Sequence, residues 1–100
     1  MNEYILLMYN DSSDSLAAGD NEKWGVYITN LRKSGQFDGG SSIGIGERFR
    51  TSESPSPADS ALTGFIRVRA ENLGQARQFL VGNPSYEAGA TVEIRELIRE

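Results

Sequence analysis

Apolar residues return along this chain at two different intervals, and the change of interval marks its elements. Tyr4-Ile5-Leu6-Leu7-Met8-Tyr9 is apolar on both alternating faces, which predicts a strand covered on two sides and set inside a sheet. Asn10-Asp11-Ser12-Ser13-Asp14 ends it with turn formers. From Asn21 the interval lengthens. Trp24, Tyr27, Ile28 and Leu31 recur at i, i+3, i+4 and i+7, the stripe of an amphipathic helix over residues 21–34. Asp20 is its predicted N-cap, Arg32 and Lys33 complement the carbonyl end of the dipole, and Gly35 closes it. An earlier turn over Ser15 to Gly19 is favoured by Leu16-Ala17-Ala18 and opposed by Gly19.

Phe37 to Arg50 has few helix formers and many glycines, and its Ile43 and Ile45 alternate with Gly44 and Gly46. A bent strand is predicted there, with an exposed connection over Thr51 to Pro57. Leu62 to Ala70 alternates again: Leu62, Ile66 and Val68 share one face, and Phe65, Arg67 and Arg69 the other. Asn72 and Gln75 form a capping-box pattern opening a second helix, with Leu73, Ala76, Phe79 and Leu80 on its buried stripe and Gly82-Asn83-Pro84 as its stop. Thr91 to Ile98 supplies the last strand, Val92, Ile94 and Ile98 opposed to Glu93, Arg95 and Leu97.

The resulting order is β-α-β-β-α-β over a single domain, residues 1–100. This is an α+β, ferredoxin-like pattern: a four-stranded antiparallel sheet with two helices on one face. The other sheet face then carries Tyr4, Leu6 and Met8 or their alternates, together with Phe65. That surface is too apolar to leave wet, so a homodimer is predicted, with a second copy as its cover.

Composition narrows the chemistry. Ten basic residues against fourteen acidic ones give a net charge of -4, a field that repels a phosphate backbone, so no nucleic-acid partner is expected. The chain has no cysteine and no histidine. Disulfides, thiolate nucleophiles and imidazole bases are thereby excluded, and neither a transition metal nor another cofactor is expected. No apolar run approaches the roughly 20 residues needed to span a bilayer. Met1-Asn2-Glu3 enters the first strand without the basic flank of a signal peptide, so no membrane partner and a cytoplasmic location are expected.

Trp24 and Tyr27 share one helical stripe and either wall a small-molecule cleft or fill the core. Arg67, Arg69, Glu93 and Arg95 point away from the apolar strand faces. They suit either an anionic metabolite or a set of structural ion pairs. Gly44-Ile45-Gly46 fails as a nucleotide loop because Phe49 stands at the third glycine position and no lysine follows. Asp11, Ser13, Ser15 and Glu22 have calcium-loop spacing, but Leu16 replaces the required glycine. The serines have no histidine partner for a triad.

The start Tyr4-Ile5-Leu6-Leu7-Met8-Tyr9, the helix end Leu31-Arg32-Lys33-Ser34-Gly35, the segment Gly64-Phe65-Ile66-Arg67-Val68 and the tail from Asn83-Pro84 through Gly89-Ala90-Thr91-Val92-Glu93-Ile94-Arg95 resemble YCII-related proteins. The resemblance spans nearly the whole chain. It implies a dimeric α/β barrel, two ferredoxin-like protomers with sheets pressed together and clefts beside the helices. It also implies an acid-base pair in the cleft, a histidine in the first helix and an aspartate before the proline. Here Trp24 and Asn83 stand at those positions, and an indole and an amide cannot exchange a proton near neutral pH. Asp59-Ser60-Ala61-Leu62 likewise replaces the Asp-Gly-Pro-Phe motif of a related subgroup.

The expectation is therefore a dimer that binds a small anionic metabolite and lacks the family's acid-base pair. Its ligand-binding residues are Trp24, Tyr27, Arg67, Arg69, Asn83, Glu93 and Arg95, and the missing pair argues against catalysis. The alternatives are an enzyme using Tyr9, Tyr27, Asp38 or Glu93, and a purely structural or interaction dimer.

Overall fold

The structure, a computed structural model, describes residues 1–99. β1 (Asn2–Tyr9) runs through the sheet interior between β5 (Leu62–Ala70) and β6 (Val92–Leu97), and β2 (Phe37–Ser42) lies outside β5. All three pairings are antiparallel. The order β2-β5-β1-β6 is the ferredoxin-like arrangement. Its cause is visible in β1: Tyr4, Leu6 and Met8 point to the helical side and are buried, whereas Ile5, Leu7 and Tyr9 point to the other side and are half-buried. β1 is paired on both edges, and its second apolar face lies on the open side of the sheet.

On the helical side α2 (Asn21–Ser34) lays Tyr27 and Leu31 against Leu6, Ile66 and Val68. The Asp20 carboxylate accepts the Lys23 N–H at 3.2 Å, and Gly35 closes the helix in the left-handed region at φ 73°. A separate turn, α1 (Ser15–Ala18), precedes it and is capped by Asp14.

The predicted second helix is broken into pieces. α3 (Leu73–Ala76) is a single turn capped by Asn72, a 3-10 turn follows over Arg77–Leu80, and α4 (Pro84–Glu87) is another single turn. Gly74 weakens the first turn, and Pro84 comes too soon for a long helix to propagate.

The predicted strand from Phe37 to Arg50 is also shorter than its pattern. β2 stops at Ser42, and the chain then forms an arm in which β3 (Glu47–Arg48) pairs with β4 (Ser56–Pro57). Ile45 and Phe49 ride on this arm fully or largely exposed instead of facing a core. Two further residues depart from the predicted alternation. An irregularity between Met8 and Tyr9 pairs Leu62 with Tyr9, out of step with Ile66 and Val68, and Ile98 lies beyond β6 and exposed.

The molecule measures 46 × 39 × 18 Å, with a Cα radius of gyration of 14.8 Å, against about 13 Å for an ordinary 100-residue domain. It is a slab of one sheet and one helical layer with an extended arm. Among the described residues nothing covers the sheet face away from the helices, and Ile5, Leu7, Tyr9 and Phe65 lie across it.

Candidate functional site

A cavity of about 640 Å³ opens between α2 and the β2–β5 side of the sheet. Asn21, Trp24, Ile28 and Arg32 of α2 form one wall; Phe37, Gly40 and Ile66 contribute to the other. Two glycines allow β2 to form that wall. Gly39 adopts φ 101°, and a Cβ on Gly40 would stand 2.4 Å from the Phe65 carbonyl oxygen. The register shifts between Phe37 and Gly40, so β2 bends around the cavity, as a bulged strand does.

Trp24 has a fixed position in the wall. Its Nε1–H donates to the Ala18 carbonyl at 2.7 Å, and its ring meets Tyr27 edge to face, 5.7 Å between centroids at 78°. The short helix α1 thus sets the indole orientation. Tyr27 is buried and belongs to the core; its hydroxyl donates to the Phe79 carbonyl at 2.5 Å. Burial pushes its phenol above the ordinary tyrosine pKa, and the nearby Asn83 amide offsets part of that rise.

Asn83 is wholly buried and already occupied. Its side-chain oxygen accepts the Tyr86 N–H at 3.0 Å as the N-cap of α4, and its amide nitrogen points to the Met8 sulfur at 3.6 Å. It does not line the cavity. Tyr27 stands between Trp24 and Asn83, packed on the first and titrating under the influence of the second.

The four charged residues predicted as ligand contacts are on the other side of the sheet. Register places Arg67, Ile5 and Arg95 in one row and Phe65, Leu7 and Glu93 in the next. Arg67 reaches Glu3 at 3.9 Å, and Arg95 reaches Glu93 at 4.0 Å. Arg69 is committed more firmly: its Nε approaches both Asp38 oxygens at 3.0 and 3.1 Å, and its terminal nitrogen donates to the Gly35 carbonyl at 2.6 Å. It clamps the end of α2 to β2 and β5. The sheet therefore divides the predicted ligand residues into two groups, with Trp24 at the cavity and the arginines on the open face.

Arg32 was assigned by its sequence position to the helix dipole alone, and the structure places it on the cavity wall. It is the single charged residue there, and among the described residues it makes no ion pair. Its signal was the continuation of the Trp24 and Ile28 stripe to i+8. Tyr9, Tyr27, Asp38 and Glu93, the alternative acid-base groups, are all absent from this wall.

A larger groove of about 730 Å³ runs on the outer side of α2 beside the 3-10 turn. Its rim carries Glu22, Lys23 and Glu87, charges of both signs, and its apolar walls Val26 and Val81 are open to water. Its charges are of both signs and stand on an open rim, whereas the smaller cavity carries one charge of one sign, so the smaller cavity is the better candidate.

The loop carboxylates serve the fold. Asp11 accepts the Thr91 N–H at 2.7 Å and the Thr91 hydroxyl at 2.5 Å, which lowers its pKa and ties the turn after β1 to the start of β6. The Arg99 guanidinium, 2.7 Å away, likewise holds Glu3 below the usual carboxylate range. Among the described residues no three carboxylates gather as a metal site, and no helix is long and apolar enough to cross a membrane.

No protein-family model and no curated protein matches the chain. Among solved structures it is similar to 5-chloro-2-hydroxyhydroquinone dehydrochlorinase from Burkholderia phenoliruptrix AC1100, in complex with 2,5-dihydroxybenzoquinone. The TM-score is 0.60 at 12% identity, over 98% of this chain and 95% of that one. At that identity the likeness is one of fold, and the chain has an α+β, ferredoxin-like fold.

Proposed function

We propose that this chain is a cytoplasmic, YCII-like homodimer that binds a small anionic metabolite in the cavity beside α2, without catalysing proton transfer. The observation that carries this reading is the unpaired Arg32 at the end of a wall otherwise built from Trp24, Ile28, Phe37 and small polar residues. A cavity of several hundred Å³ that joins aromatic and aliphatic side chains to a few polar groups and one charge to orient the occupant is the usual form of a small-molecule site. The neighbouring dehydrochlorinase was solved with a small cyclic ligand, which supports small-molecule binding on this fold. No acid or base lines the wall, so nothing there exchanges a proton near neutral pH.

The open sheet face supports the dimer, and its charged residues Arg67, Glu93 and Arg95 then belong to the seam instead of the ligand. A screen of small anions, read as a rise in Tm and as amide shift changes at Trp24 and Gly40, tests the binding reading. Saturable shifts confined to the cavity wall support it. Turnover with a pH profile set by a tyrosine or carboxylate would replace it with the enzyme reading.

A further inference from the structure

The cavity is a trough along α2. Asn21, Trp24, Ile28 and Arg32 follow one another at helical spacing, and the step of eight residues from Trp24 to Arg32 spans about 12 Å of helix axis. The two ends differ in chemistry. At one, the indole N–H is spent on the Ala18 carbonyl, so Trp24 presents a π surface without a donor. At the other stands the Arg32 guanidinium with no carboxylate partner among the described residues. One guanidinium fork matches one carboxylate through two parallel N–H bonds and leaves half the charge of a phosphate dianion unmet. Phe37, across from α2, adds a second aromatic wall.

Resting on the binding reading above, we infer that the ligand is an extended aromatic monocarboxylate, its carboxylate held by Arg32 and its ring laid against Trp24. Arg32 is then the residue that determines specificity. The acid enters ionised and leaves unchanged, since no group on the wall gives or takes a proton near neutral pH.

The test titrates 3-phenylpropionate and its neutral counterpart 3-phenylpropionamide into the full chain. The readouts are isothermal calorimetry and the fluorescence of Trp24, the chain's one tryptophan. Saturable binding of the acid is expected, about tenfold or more tighter than the amide, as a charge-assisted pair gives. Arg32→Gln should bring the two probes to equal affinity with an unchanged far-UV circular dichroism spectrum. Equal affinities in the wild type would overturn the carboxylate assignment and leave the cavity reading intact. Silence of both readouts toward both probes at millimolar concentration would overturn the two together. Inorganic phosphate displacing the acid at matched concentration would replace carboxylate by phosphate, and tight acid binding by Arg32→Gln would remove Arg32 from the site.

Discussion

The Tyr27 hydroxyl donates to the Phe79 carbonyl across 52 residues of sequence, at 2.5 Å. This bond fastens the long helix to the 3-10 turn that replaces a regular second helix. Tyr27→Phe leaves that carbonyl without its partner and should cost about 1–2 kcal/mol in urea unfolding. The pH dependence has a definite sign. The folded phenol is raised above its ordinary value of 10.0, so its contribution is complete below about pH 10 and is lost as pH rises through the folded value. Alkaline titration of stability should therefore fall less steeply in Tyr27→Phe than in the wild type.

Gly40 is required by close approach, since an added Cβ would stand 2.4 Å from the Phe65 carbonyl oxygen. Gly40→Ala must push β2 from β5 and should destabilise by about 1–3 kcal/mol. Gly44 is the control, because its Cβ would meet nothing within 4 Å; Gly44→Ala should stay within about 0.5 kcal/mol. Urea midpoints of the two variants at equal m-value decide the matter. Equal midpoints would show that the strands separate without strain.

Much of this architecture was legible because burial and period coincide. One apolar face of β1, Tyr4, Leu6 and Met8, packs into the core, the other lies on the open face of the sheet, and Tyr27 and Leu31 are buried at the spacing that predicted them. Where local and tertiary preferences part, the sequence misleads. Leu73 to Leu80 has a helical stripe, yet it spans too few residues between Asn72 and Pro84 to settle into one α-helix. Ile43 and Ile45 alternate like strand residues, but only Ile43 keeps a bond to β5, its N–H donating to the Thr63 carbonyl at 2.8 Å, while Ile45 is fully exposed on the arm. At the cavity, Trp24 was visible through its type and stripe. Arg32 was hidden because a cation in the last turn of a helix already has an explanation in the dipole. The division of the arginines from Trp24 depends on which sheet face each occupies, a relation that appears only once the strands are paired.

Asp11 should set part of the acid limit of the fold. Its carboxylate is held below its ordinary value chiefly by the Thr91 hydroxyl, then by the Thr91 N–H. A depressed folded pKa gives stability that is present above the unfolded value, about 3.9, and is lost as pH falls through the folded one. Asp11→Ala should therefore be less stable at pH 7 and show a flatter decline below about pH 4. Urea midpoints from pH 7 to pH 2 test this, and parallel curves for the two proteins would show that the Thr91 contacts carry no pH-linked stability.

The last prediction concerns assembly. Leu7 lies between Phe65 and Glu93 on the open face, in the row beside Arg67, Ile5 and Arg95. In a dimer formed through this face Leu7 is buried, and a carboxylate placed there would be desolvated beside Glu93, in reach only of Arg67 and Arg95, which already pair with Glu3 and Glu93, at a cost of several kcal/mol. In the lone protomer the same side chain is half-exposed and can remain hydrated. Leu7→Glu should therefore dissociate the protein while leaving the fold standing. Light scattering at micromolar concentration should give the wild type about twice the chain mass of 11.0 kDa and the variant the single mass, with the same far-UV circular dichroism. A wild type at 11.0 kDa whatever its concentration would end the dimer proposal. A variant that kept the doubled mass would move the interface off this face, with the exposed arm bearing Ile45 and Phe49 as the next surface to mutate.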